Sequence, residues 1–130
     1  MSAVLLDTHV VHWWSAEPQR VSRRAATALD QADELVVAAI SWFELAWLAR
    51  HERIVVNVPI RSWLLGLAAH VRTIGVTPAI ADTAVALPSS FPGDPADRLI
   101  YGTAIEHGLQ LVTKDQAIRN HTHPRSVAIW

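Results

Sequence analysis

Four short apolar runs set the main limits on what this chain can fold into. Ala3 to Leu6, Leu35 to Ile40, Leu109 to Val112 and Val127 to Trp130 are Leu-rich or β-branched and do not alternate with polar residues. Uninterrupted runs of this length suit strands covered on both faces, whereas a half-exposed strand alternates. A weaker run passes through Thr73-Ile74-Gly75-Val76. Helical patterns lie between them: His9 to Ser15, Ser22 to Gln31, Ser41 to Arg53, Ile60 to Val71, Ile80 to Leu87, and Ala96 to His107 ended by Gly108. Strands alternating with helices predict an α/β fold with a mainly parallel sheet between helical layers. In such sheets, ligand groups gather at the carboxyl ends of the strands.

The 130 residues suit one domain, 1–130, and 51% hydrophobic content with 18% charged excludes disorder. The absence of cysteine excludes disulfides, thiolate catalysis and Cys-based zinc sites. Net charge is -1, so no global basic field marks the chain for nucleic acid. Lys114 is the only Lys and the other cations are Arg, which leaves local phosphate contacts open. The N-terminal run is broken by Asp7 and has no basic leader, and no run reaches membrane-spanning length. A cytoplasmic protein with no membrane association is expected.

The acids fall at strand-to-helix junctions. Asp7 follows Val4-Leu5-Leu6, and Asp115 follows Leu111-Val112-Thr113-Lys114. Glu44 lies one turn into the helix expected to start at Ser41, and Asp94 and Asp97 open the next one, one turn apart. Each has an ordinary reading as a helix cap. Ser41-Trp42-Phe43-Glu44 fits a capping box, and Asp94-Pro95-Ala96-Asp97 fits an N-cap Asp, Pro at N1 and an acid at N3. Taken together they point elsewhere, because two unit charges 4 Å apart repel by ~4 kcal/mol at an effective dielectric of 20. Helix N-termini relieve only ~0.3–1 kcal/mol each. Acids gathered on one sheet edge must be protonated, splayed or neutralised by a cation, and a hard divalent ion with oxygen ligands is the economical solution. Such a site suits phosphodiester hydrolysis.

Leu5-Leu6-Asp7-Thr8-His9, Ser41-Trp42-Phe43-Glu44, Asp94-Pro95-Ala96-Asp97-Arg98-Leu99-Ile100 and Val112-Thr113-Lys114-Asp115 occur in the order of the PIN-domain family, and the chain resembles its VapC-type toxins most. The resemblance implies a three-layer α/β/α fold with four to five strands. It also implies an endoribonuclease using Mg²⁺, or Mn²⁺, on Asp7, Glu44, Asp97 and Asp115. Thr8 and Thr113 would support the site through their hydroxyls, with Ser41, Asp94 and Arg98 as further supporting residues. A cognate small antitoxin, an RNA substrate and a homodimer are the implied partners. Trp13, Trp14, Trp42, Trp47 and Trp63 fit the protein partners independently, since one small core hardly buries so many large rings.

Other features read as ordinary surface. His9 and His12 flank Asp7 on a short helix. His121-Thr122-His123 reads as a polar turn, and Arg20, Arg23 and Arg24, like Arg50, Arg53 and Arg61, read as solvated helix faces. Arg98 would meet a phosphate or an acid of the site. The competing readings are a PIN-type RNA-processing nuclease without an antitoxin, a Mg-binding phosphoacceptor receiver-like domain, suggested by Lys114, and a binding module whose acids are only caps. The receiver reading lacks the paired acids after the first strand and an acid after Thr73 to Val76.

Overall fold

All five apolar runs form strands: β1 (Ala3–Leu6), β2 (Glu34–Ala38), β3 (Arg72–Ile74), β4 (Gln110–Val112) and β5 (Ala128–Ile129). They make one sheet in the order β3-β2-β1-β4-β5, and every neighbouring pair is parallel. The computed structural model describes residues 2–122 and 124–130. The connecting helices are α1 (Thr8–Ala16), α2 (Arg23–Gln31), α3 (Ala39–Arg50), α4 (Ile60–Ala68), α5 (Pro78–Ala86), α6 (Pro95–His107) and the single turn α7 (Gln116–Arg119), with a 3₁₀ turn at Pro18–Arg20.

The strand period of two divides the interior into two layers. Leu5, Val36 and Leu111 point to the side of α5 and α6, where they meet Ile80, Ile100, Tyr101 and Ile118. Val4, Leu6, Val37 and Val112 point to the other side, against Val10, Val11, Trp13, Leu29, Leu45 and Leu67. Both faces are covered, which is why the runs carry no polar alternation. In the first layer α5 and α6 approach closely at Gly102, where an added Cβ would stand 3.1 Å from the Ile80 carbonyl oxygen.

Local signals hold at most helix ends. Ser22 and Thr77 accept from the backbone N–H of Ala25 and Ile80, and Gly108 closes α6 in the left-handed region at φ 64°. The expected capping box at Ser41 does not form. Strand β2 ends at Ala38 and the chain turns directly into α3, with no side-chain cap at its start. Ser41 is thus inside the first turn and fully buried, and Glu44 is free for another partner.

Candidate active site

The chain builds β1, β2 and β3 in one direction and then crosses back to place β4 and β5 on the far side of β1. The carboxyl end of β1 is therefore the point where the strand order reverses, and loops leaving on both sides of it open a crevice. Asp7 is anchored there, its N–H donating to the Val112 carbonyl at 3.0 Å so that pairing with β4 extends to the site. A cavity of about 680 Å³ opens over this edge, lined by Asp7, Thr8, Glu44, Asp94, Asp97 and Asp115 together with His9, Trp13, Arg20 and Lys114. Folding thus brings the four acids into one cavity from β1, α3, α6 and the β4–α7 junction.

The acids are held in different ways. Asp7 accepts from the Thr8 N–H through Oδ1 at 2.8 Å and from the Thr113 hydroxyl through Oδ2 at 2.6 Å. Thr113 is itself fully buried, so its orientation is fixed by packing. Thr8 Oγ1 lies 2.5 Å from Glu44 Oε1 and 2.9 Å from Ser41 Oγ. A hydroxyl has one proton, so when Thr8 donates to the carboxylate it accepts from Ser41. Asp94 spends Oδ1 on the Ala96 and Asp97 N–H groups, and Asp115 spends Oδ1 on that of Ile118. Asp94 and Asp115 act as caps, Asp7 caps α1 and also accepts from a buried hydroxyl, and Glu44 is held by the Thr8 hydroxyl.

Burial and mutual repulsion raise the proton affinity of the inner acids. Asp7 keeps some exposed surface, yet protein surrounds its carboxylate from nearly all sides, and this desolvation pushes its pKa up. The Thr113 and Thr8 hydrogen bonds oppose the rise, and the charge of Asp115 adds to it. Glu44 is raised first by burial and then by Asp7 and Asp94, against the Thr8 hydrogen bond. Asp97 is pushed up to about 7 by burial and by repulsion from Asp7, Asp94, Asp115 and Glu44. Among the described residues, nothing hydrogen-bonds to its carboxylate and no ion pair reaches any acid of the cavity.

The donor chemistry fits a hard cation, since the five acids and Thr8 that line the cavity offer oxygen atoms. Among the described residues, no three His, Asp or Glu side chains converge at metal-ligating spacing. The acids surround the space without closing on one point, an arrangement suited to an ion that keeps several of its waters.

Three expectations change. The Arg98 guanidinium turns away from the cavity and donates to the carbonyls of Ala84, Leu87, Pro88, Phe91 and Pro92, since a half-buried cation takes the nearest unsatisfied acceptors. Arg98 thus fixes the segment leading into Asp94 and meets no acid of the site. Arg20 separates from Arg23 and Arg24 and lines the cavity, set there by the 3₁₀ turn that follows α1, a feature without a pattern of its own in the sequence. His9 also lines the cavity, whereas His12 faces Glu17 at 2.9 Å. The His121 ring packs on Phe91 and Tyr101, away from the acids, and His123 lies outside the described residues.

Comparison with known proteins gives the family and agrees with the fold. The chain is 68% identical to Ribonuclease VapC22 of Mycobacterium tuberculosis over 130 residues, covering all of both proteins. Its fold is similar to chains in two solved complexes. One is a DNA-bound VapBC from Salmonella typhimurium, with a TM-score of 0.72 at 18% identity over 99% of this chain and 98% of that one. The other is VapBC2 from Rickettsia felis bound to a promoter DNA fragment, with a TM-score of 0.72 at 14% identity over 98% and 97%. The family model described as PIN domain matches residues 4–123, which spans all four acids, and the chain belongs to the PIN-domain family.

Proposed function

We propose that this chain, as one catalytic domain, is a metal-dependent endoribonuclease and the toxin of a toxin–antitoxin pair. The observation that carries the chemistry is Asp97, a half-buried carboxylate without a hydrogen-bond partner among the described residues, repelled by four other acids in one cavity. The relative at 68% identity is named a ribonuclease, which supports the substrate class. Similar folds occur in solved toxin–antitoxin complexes, which supports the partner.

Asp7, Glu44, Asp97 and Asp115 are the groups assigned to hold Mg²⁺ or Mn²⁺, which when bound supplies Lewis acidity towards a phosphate oxygen and an acidified water. The chain's own residues set the rest. Thr113 fixes the Asp7 carboxylate, and Thr8, braced by Ser41, fixes Glu44. Asp94 caps α6 and thereby holds the first turn that carries Asp97. Glu44 keeps Oε2 outside these hydrogen bonds, which leaves that oxygen for the cation.

The outer face of α3 and α4 carries Phe43 at 67% exposure, Trp47 at 44% and Leu65 at 65%. Exposed aromatic and apolar area of this kind favours a protein partner, and we assign it to the antitoxin. This face is what favours the toxin over an RNA-processing nuclease that acts alone. Val85, 81% exposed on α5, offers a separate apolar contact for a homodimer. Among the described residues no helix is long and apolar enough to cross a membrane.

The test is cleavage of total RNA by the purified chain with Mg²⁺ or Mn²⁺, and its suppression by the product of an adjacent small gene. Cleavage that needs the cation and stops on addition of that product is expected. Undiminished cleavage in chelator would refute the metal site, and an unaffected nuclease would refute the antitoxin.

A further inference from the structure

The acidic cavity has a cationic flank that the metal chemistry does not use. Trp13 is the wall between them, its ring packed in the core at 8% exposure and backed by Trp130 at 5.9 Å. The Arg20 guanidinium stands 4.9 Å from the Trp13 ring centroid and the Lys114 ammonium 5.7 Å. His9 lies against the same ring at 5.8 Å. Arg20 is further steadied by Glu17 at 3.7 Å.

This placement is unusual on electrostatic grounds. Two exposed cations line a cavity with five carboxylates, yet among the described residues neither forms an ion pair with any of them. The aromatic face supplies a competing attraction, ~0.5–1 kcal/mol for each cation at an exposed site. Held in this way, the charges are neither solvated at random nor collapsed on the acids, and they stand beside the cavity for an anion. RNA approaching an acid-rich pocket meets repulsion at the floor, so neighbouring phosphates need positive charge close by. Arg offers a planar fork and Lys a point charge, and both suit phosphate oxygens.

We propose that Arg20 and Lys114, carried on Trp13, form a phosphate subsite that holds the RNA backbone next to the phosphodiester being cut. The proposal rests on the nuclease reading and adds to it the residues that position the strand. Arg20 and Lys114 are positioning residues and take no part in the bond cleavage.

The experiment uses a short labelled single-stranded RNA of mixed sequence and the full-length chain. Binding is measured in the non-cleaving Asp97→Asn background over a series of salt concentrations. Each cation that pairs with a phosphate on a single strand contributes ~0.7 to the slope of log affinity against log salt. Arg20→Met and Lys114→Met should each lower the slope by about that amount and weaken binding ~tenfold, the range of one lost charge-assisted contact. Arg20→Lys should restore the slope. With Asp97 present, both Met variants should raise KM for RNA and leave kcat nearly unchanged. Unchanged slope and KM in an actively cleaving protein would overturn the subsite. A protein that binds RNA with the expected slopes but never cleaves it would retain the subsite and overturn the nuclease reading.

Discussion

On the α5–α6 side of the sheet, Ile80, Phe91, Ile100, Tyr101 and Ile118 are withdrawn from water, and the backbones of the two helices approach closely at Gly102. On the opposite side Trp14, Trp42, Trp63, Leu48 and Leu64 are only partly covered, and Phe43, Trp47 and Leu65 stand outside. The first side is closed by small residues that let helices approach. The second carries rings too large for the space that α1, α3 and α4 enclose. Most of the uncovered rings stand on this second side, with Val85 of α5 as a separate exposed group on the first, and a concentration of exposed rings of this kind suits association. The acidic cavity lies at the seam, taking Asp97 from the closed side and Thr8 and Glu44 from the open one.

Several substitutions would break or sharpen this contrast. Asp97→Asn at the seam should reduce RNA cleavage at least ~100-fold, since changes to groups behind a metal ligand already cost ~10–100-fold. Circular dichroism of the variant should be unaltered, and near-normal cleavage would remove Asp97 from the site. Thr113→Val leaves the acids in place but frees Asp7 Oδ2, and a loss within ~10–100-fold in activity or metal affinity is expected. Isothermal titration with Mn²⁺ separates the two quantities.

On the closed side, Gly102→Ala should cost ~1–3 kcal/mol, the range for overpacking, because the Ile80 carbonyl at 3.1 Å belongs to backbone and must move. Urea unfolding measures it, and an unchanged midpoint would show that α5 and α6 are less tightly apposed. On the open side, Phe43→Ser should alter stability by no more than ~0.5 kcal/mol, yet abolish capture of the antitoxin. Loss of several kcal/mol there would mean that Phe43 belongs to the fold and not to an interface.

The seam also predicts a pH dependence. Asp97 is at about 7 in the folded chain against an ordinary 3.8, so the folded state binds the proton more tightly than the unfolded one. Between those values the native chain holds a proton that the unfolded chain has released, and stability falls as pH rises. Asp7 and Glu44, raised by burial, act with the same sign. Without added metal the melting temperature should therefore decline from about pH 4 to about pH 7, and Mg²⁺ should raise it more at about pH 8 than at about pH 5.5, where protons compete. A metal-induced shift independent of pH would separate cation binding from these acids.

The positions of the strands were legible because uninterrupted runs such as Leu35 to Ile40 leave few alternatives. The boundaries were less so. Ala39 and Ile40 read as strand but form the first turn of α3, since apolar residues at a junction satisfy either period. Asp7, Glu44, Asp97 and Asp115 were visible as acids at junctions, each equally readable as a cap. Only folding showed that Asp94 and Asp115 cap helices, while Glu44 turns to the Thr8 hydroxyl. Arg98 was misplaced because adjacency to Asp97 says nothing about direction. Its partners are carbonyls between Ala84 and Pro92, which the loop brings round it.

Sequence alone determined the alternation of strand and helix, the absence of thiol chemistry and the presence of acids after β1, β2 and β4, because hydrophobic period and residue chemistry are local properties. Which acids face one another, which are desolvated, and which cations stand beside them were decided by the strand order β3-β2-β1-β4-β5. That order brings residues more than a hundred positions apart, Asp7 and Thr113, to 2.6 Å. Charge interactions depend on distance and on excluded water, and both exist only once the sheet has closed around them.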